Sequence, residues 1–320
     1  MYDTNSPLNN INVSFSDYVQ RHATSMEAHL VNGVPDYSFS LDNELRKSMM
    51  KIPHFTSICK TITSSLVAQQ IQILNQEGIA VGPNQFPEIY RMTADCAQKL
   101  GIGIPNVFIV NSPGEMNAYT IAADDSSPIV VLYSSIVERM TPGELKGVIA
   151  HECGHIHNNH SALQSVVNVI LSSLGGSGIA GMVITLANIA LMQFWTRAAE
   201  ITADRAALIC ADDVQDVINM NSTLLTGGMI GKQYSVNLES LREQLEITLN
   251  NPSKVYEVLS DHPSSVRRVF CTMEFSECET FFQWRPDFKR YDAVVRTKEE
   301  TDRRCQKLVN ILDNVKGGIR

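Results

Sequence analysis

Two histidines four residues apart enclose a glutamate in the stretch Ala150-His151-Glu152-Cys153-Gly154-His155-Ile156. Residues at that spacing on a helix share a face, one turn above the other. His151 and His155 can therefore offer two imidazoles to one zinc ion. Glu152 lies one residue on from His151 and cannot ligate in the same plane. It can reach the open coordination position and accept a proton from a metal-bound water there. Gly154 allows another element to come close. Cys153 is turned about 200° from His151 and reads as a small buried residue, not a ligand or a nucleophile. The same histidine spacing also arises by chance on an ordinary helix, so the motif needs a third ligand and a scaffold.

The next turn does not supply that ligand. Asn158 and Ser161 stand where an extended HExxHxxGxxH motif would have glycine and histidine. On a continued helix, His160 would point about 180° and His157 about 120° from His151, which makes them surface or second-shell groups. A better candidate lies in Arg197-Ala198-Ala199-Glu200-Ile201-Thr202-Ala203-Asp204-Arg205. Glu200 and Asp204 share a helix face. One carboxylate can ligate, and Asp204 can hydrogen-bond the outer nitrogen of a ligating histidine and fix its tautomer. An exposed acidic pair is the alternative. Against it stand Ala198, Ala199, Ala203, Ala206 and Ala207, small residues that suggest tight helix packing.

Several elements must position these groups. Thr141-Pro142-Gly143-Glu144 carries an N-cap, a proline suited to the first turn and the glutamate of a capping box, so the histidine helix starts there. Ahead of it, Val107–Val110, Asn117–Ala122 and Ile129–Tyr133 read as three short strands, with a turn at Asp124–Pro128, forming a small antiparallel meander. Helical spacing covers 41–78 with a break at Pro53, and Pro87–Lys99 ended by Gly101. Residues near 217–233 mark a break. Further helices are expected around 238–249, 263–273 and 297–314.

HECGHIHNNH followed by RAAEITADRAA resembles the zinc metallopeptidase family of HtpX and the type I CAAX prenyl endopeptidase, a gluzincin group. Asn117-Ala118-Tyr119 resembles the Asn-Ala-aromatic strand ahead of that family's zinc helix. Asp261-His262-Pro263-Ser264-Ser265-Val266-Arg267-Arg268 resembles its late His-Pro-Ser…Arg segment. The four motifs occur in order across residues 117–268. The resemblance implies one zinc ion held by His151, His155 and Glu200, with Glu152 as general base and Asp204 in the second shell. It implies that His262, Arg267 or Arg268 lies near the cleft, to stabilise an oxyanion or hold the site closed. His262 also reads as an ordinary helix-start residue before Pro263. The substrate would be a protein or peptide adding as a strand along Asn117, Ala118 and Tyr119. An ordinary core strand is the alternative there.

The expected fold is α+β and predominantly helical: a gluzincin-type domain over 41–275 with a small antiparallel sheet ahead of the zinc helix. An N-terminal arm over 1–40 precedes it, and a C-terminal helical extension over 276–320 packs on it. The expected activity is that of a zinc endopeptidase using metal-activated water. A latent or non-proteolytic, chaperone-like zinc module is the competing class.

The chain has 320 residues and a net charge of −8, which gives no electrostatic basis for binding nucleic acid. Its seven cysteines form no CxxC and suit a reducing compartment, so the cytoplasm is expected. No charged residue or histidine occurs from 161 to 196. This stretch reads as two apolar helices joined by a turn at Gly175–Gly178. Each is shorter than the ~20 residues that span a bilayer. They are expected in the core, with membrane contact as the alternative.

Overall fold

The computed structural model describes residues 29–52, 55–122, 127–161, 163–164, 166–167, 186–228, 236–249 and 265–309. A tight hairpin opens the described chain, with β1 (Leu30–Val31) paired to β2 (Val34–Pro35). Asn32 and Gly33 form its turn at φ 54 and 74. Left-handed backbone at both positions gives the turn a twist that matches paired strands. The chain then buries Tyr37 and Phe39 and enters α1 (Ser40–Met49). Residues 29–39 are thus part of the packed body, although they fall in the expected arm.

Helix α2 (Phe55–Glu77) follows the expected break at Pro53, which itself lies outside the described residues. Helix α3 (Pro87–Leu100) ends as its sequence dictates, with Gly101 at φ 67. Glycine takes this left-handed C-cap without steric cost.

Strands β3 (Gly78–Ala80), β4 (Asn106–Val110), β5 (Ala118–Ile121) and β6 (Ile129–Tyr133) form one sheet in the order β3-β4-β6-β5. The expected antiparallel meander is corrected here: β4 and β6 run parallel, with Val107 opposite Val130. The β3–β4 and β5–β6 pairs are antiparallel. The central strands NVFIV and IVVLY lack polar alternation because both faces of the sheet are covered. Val107, Ile109, Val130 and Leu132 pack into the main core, while Phe108, Ile129 and Val131 pack with Leu74 and Ile121 on the other face. Strand β5 forms an edge of the sheet.

After the short α4 (Ser134–Arg139), helix α5 (Pro142–His157) carries the HECGH motif. Its N-terminus is the expected capping box. Thr141 Oγ1 accepts from the Glu144 amide at 3.3 Å, and the Glu144 carboxylate accepts from the Thr141 amide at 2.7 Å. Each such cap contributes about 1 kcal/mol. Helix α6 (Leu186–Cys210) packs directly on α5. At the crossing, a Cβ added to Gly154 would lie 2.6 Å from Ala206 Cβ and 3.1 Å from Ala203 Cα. Only glycine lets the two helices meet at this distance.

The second apolar helix expected between 161 and 196 is continuous with the Glu200 helix, since α6 starts at Leu186. The expected turn at Gly175–Gly178 lies outside the described residues. Among the described residues, no helix is long and apolar enough to cross a membrane. Helix α7 (Val214–Thr226) occupies much of the region expected to be a break. The chain stops being helical only at Gly227, φ 66. The asparagines there are helix residues rather than breakers: Asn221 is fully buried and donates to the Val217 carbonyl within the helix.

Helices α8 (Leu238–Leu249), α9 (Ser265–Ser276), α10 (Glu279–Trp284) and α11 (Lys298–Val309) complete the described fold. Phe275, Cys278, Phe281 and Phe282 join the main core. Asp302 on α11 pairs with the buried Arg205 of α6 at 2.7 Å. All seven cysteines are free thiols.

Candidate metal centre

The two helices that cross at Gly154 bring His151, His155 and Glu200 together, all three buried. The Nε2 atoms of His151 and His155 face each other at 3.1 Å. Glu200 sends Oε2 to 3.4 Å from His151 Nε2 and Oε1 to 3.4 Å from His155 Nε2. Tetrahedral zinc with bonds near 2.0–2.1 Å requires its nitrogen ligands to lie roughly 3.3 Å apart. The three groups meet that requirement, and two opposed imidazole nitrogens with a carboxylate make a donor set suited to zinc.

Charge also favours a cation. Glu200 and Asp204 are two buried carboxylates compensated at close range by one guanidinium, Arg268. Burial alone would raise Glu200, but bonds from both histidines and the Arg268 charge hold it well below its ordinary value. Burial and the Arg268 charge pull His151 down, yet its bonds to Asp204 and Glu200 outweigh them and lift it to about 9.

Each histidine has an outer partner. His151 Nδ1–H donates to Asp204 Oδ1 at 3.0 Å, leaving Nε2 free to ligate. Arg268 grips Asp204 with two bonds, Nε to Oδ2 at 2.8 Å and Nη2 to Oδ1 at 2.7 Å, and reaches Glu200 at 3.3 Å. Of the two arginines expected near the cleft, Arg268 is the one that meets these carboxylates, and Arg267 donates to the Leu308 carbonyl on α11. Consecutive helical residues point about 100° apart, so the two arginines serve different neighbours. His262 lies outside the described residues.

His155 is supported differently. Its Nδ1 lies 3.1 Å from Nδ1 of His160, which is fully buried. A helical wheel turns His160 away from the site only if the helix continues, and it does not. Helix α5 stops at His157, and Asn159 adopts φ 55. The His160 amide then donates back to the His155 carbonyl at 2.9 Å. This left-handed closure folds His160 under His155. His157 is not among the clustered ligands; its Nδ1 meets the Tyr37 hydroxyl at 2.9 Å.

Glu152 projects toward β5, where Thr120 Oγ1 donates to its Oε2 at 2.6 Å. Tyr133 N donates to the Asn117 carbonyl at 3.0 Å, so Asn117 directs its carbonyl toward β6. Alternation in an antiparallel pair then turns the N–H and C=O of Ala118 and Thr120 outward, to the edge that no other described strand pairs with. Ala118 packs toward the main core, whereas Tyr119 packs with Tyr133 on the opposite face. Thr120 belongs to no sequence motif that marks it. Strand alternation places Thr120 on the face of Ala118, which is the available signal.

A model of peptidase family M48 matches residues 83–271, more than half of the chain. The chain belongs to this family. Among M48-type relatives, it is 28% identical over 211 residues to plastoglobule-localized metallopeptidase 48, chloroplastic, of Arabidopsis thaliana, covering 65% of this chain and 60% of that protein. It is 26% identical over 128 residues to a protease HtpX homolog of Caldanaerobacter subterraneus, covering 40% of each. It thus spans 60% or less of the length of these relatives. The crystal structure of S. mikatae Ste24p is similar with a TM-score of 0.37 at 16% identity, over 72% of this chain and 61% of that one.

Proposed function

We propose that this protein is a zinc-dependent endopeptidase acting on extended segments of protein or peptide substrates. The observation that carries this reading is the convergence of His151 Nε2, His155 Nε2 and Glu200 on one point, beside Glu152 on the same helix. His151, His155 and Glu200 hold the ion. When bound, zinc supplies Lewis acidity toward a carbonyl oxygen and lowers the pKa of water. Glu152 accepts the proton of the attacking water and later passes it to the leaving amine. Asp204 fixes the tautomer of His151, and Arg268 offsets the charge of Asp204 and Glu200.

The substrate lies along β5. The outward N–H and C=O groups of Ala118 and Thr120 pair with its backbone, as in other strand-addition recognition. Main-chain pairing selects an extended conformation and leaves most side chains unread. The seven free cysteines fit a reducing compartment, for which the cytoplasm is our reading.

The test is Glu152→Gln with casein and a quenched peptide, alongside metal analysis. The variant should retain zinc and lose about 10²–10⁴-fold in rate. Cleavage by the pure variant at the wild-type rate would remove Glu152 from its role. Wild-type protein with one bound zinc that cleaves neither substrate would favour a latent binding module instead.

A further inference from the structure

Asp42 lies at the start of α1, far in sequence from every metal-site residue, and is 1% exposed. A buried carboxylate needs partners, and its three partners converge from two other elements. His160, after α5, brings Nε2 to 2.9 Å from Asp42 Oδ2. Trp195 on α6 donates Nε1–H to Oδ1 at 2.9 Å. Thr202, farther along the same helix, donates its hydroxyl to Oδ2 at 2.7 Å. The Trp195 and His160 rings meet edge to face, with centroids 5.8 Å apart. Arg46 on α1 donates to the Asn158 carbonyl at 2.7 Å, tying the same helix to the turn that carries His160.

The chain of bonds fixes the imidazole tautomers. Asp42 can only accept, so His160 carries its proton on Nε2. His160 Nδ1 is then an acceptor and takes the bond from His155 Nδ1–H. That leaves the lone pair of His155 on Nε2, the atom facing His151 Nε2 and Glu200.

We propose that Asp42 and His160 are positioning residues for the metal, forming a carboxylate–imidazole relay that orients His155 as a ligand. Helix α1 is thereby part of the metal site. This inference rests on the zinc reading above, and one experiment separates the two. Zinc affinity of the full-length protein is measured by competition with a chromophoric chelator, for wild type, Asp42→Asn, His160→Leu and His160→Gln. The visible spectrum of each protein loaded with Co²⁺ reports ligand geometry, and circular dichroism of the metal-free proteins reports folding.

Loss of an outer partner typically costs about 10–100-fold in metal affinity. Asp42→Asn and His160→Leu should weaken zinc by that factor and change the cobalt spectrum. His160→Gln, whose amide oxygen can still accept from His155, should recover much of the affinity. If Asp42→Asn does not fold, the His160 pair decides. Wild-type affinity in folded His160→Leu, or equal losses in His160→Leu and His160→Gln, would overturn the relay. Failure of the wild type itself to bind zinc or cobalt would overturn the zinc reading.

Discussion

The two histidines of the candidate metal centre are placed for the same task and are supported by unlike neighbours. Behind His151 stands an ionic clamp, with Asp204 held by Arg268 through two bonds. Behind His155 stands His160, then Asp42, whose close donors Trp195 and Thr202 are neutral. The Arg268 charge draws Asp204 below its ordinary value against the effect of burial. An imidazole can thus be fixed by a carboxylate compensated with charge or by one compensated with hydrogen bonds. The two solutions differ in how much stability is lost when one partner is removed.

The largest effect should come from the ligand both sides share. Glu200→Ala should reduce zinc binding by more than the roughly 100-fold associated with a supporting residue. Dialysed protein should then show background metal; full occupancy would mean that another group completes the site. On the ionic side, Arg268→Ala leaves Glu200 and Asp204 buried without their nearest cation. A broken buried ion pair costs about 3–5 kcal/mol, readable by urea unfolding of metal-free protein. Added zinc should narrow that deficit, since a dication offsets the same carboxylates. On the neutral side, Trp195→Phe keeps the aromatic packing and removes one donor from Asp42, for about 1–3 kcal/mol. Equal losses for Arg268→Ala and Trp195→Phe would erase the contrast between the two sides. The smallest effect should be at Thr120→Val, where metal affinity holds and kcat falls about tenfold, the equivalent of 1.4 kcal/mol. Thr120→Ser should restore the rate, because it keeps the hydroxyl that meets Glu152.

The same division explains what can be read from sequence. His151, His155 and Glu200 sit on helices whose spacing and caps are local, so periodicity alone places each pair of groups on one face. The α5 capping box and the Gly101 helix end are legible for the same reason. A helical wheel leaves His160 between the surface and the second shell, because it cannot see Asn159 turn left-handed. Asp42 carries no local mark, as an acid in the first turn of a helix ordinarily reads as a partner of the helix dipole. The parallel β4–β6 pair escapes sequence reasoning because two buried apolar runs do not reveal their relative direction. Choosing Arg268 over Arg267 requires the angle at which α9 meets α6, which is a matter of tertiary packing.

Gly154 has a last consequence, for which ion would suit the three converging residues. Because α5 meets Ala203 and Ala206 there without an intervening side chain, contact between packed surfaces sets how far Glu200 stands from the two imidazoles. That spacing is 3.1 Å between nitrogens and 3.4 Å from each nitrogen to the carboxylate. Calcium gathers six to eight oxygens at about 2.3–2.6 Å and would need a wider cage with different donors. Zinc, with four ligands at about 2.0–2.2 Å, fits the span as built. On the zinc reading proposed above, the helix crossing would act as a caliper, matching the gap to a small ion through the absence of one methyl group.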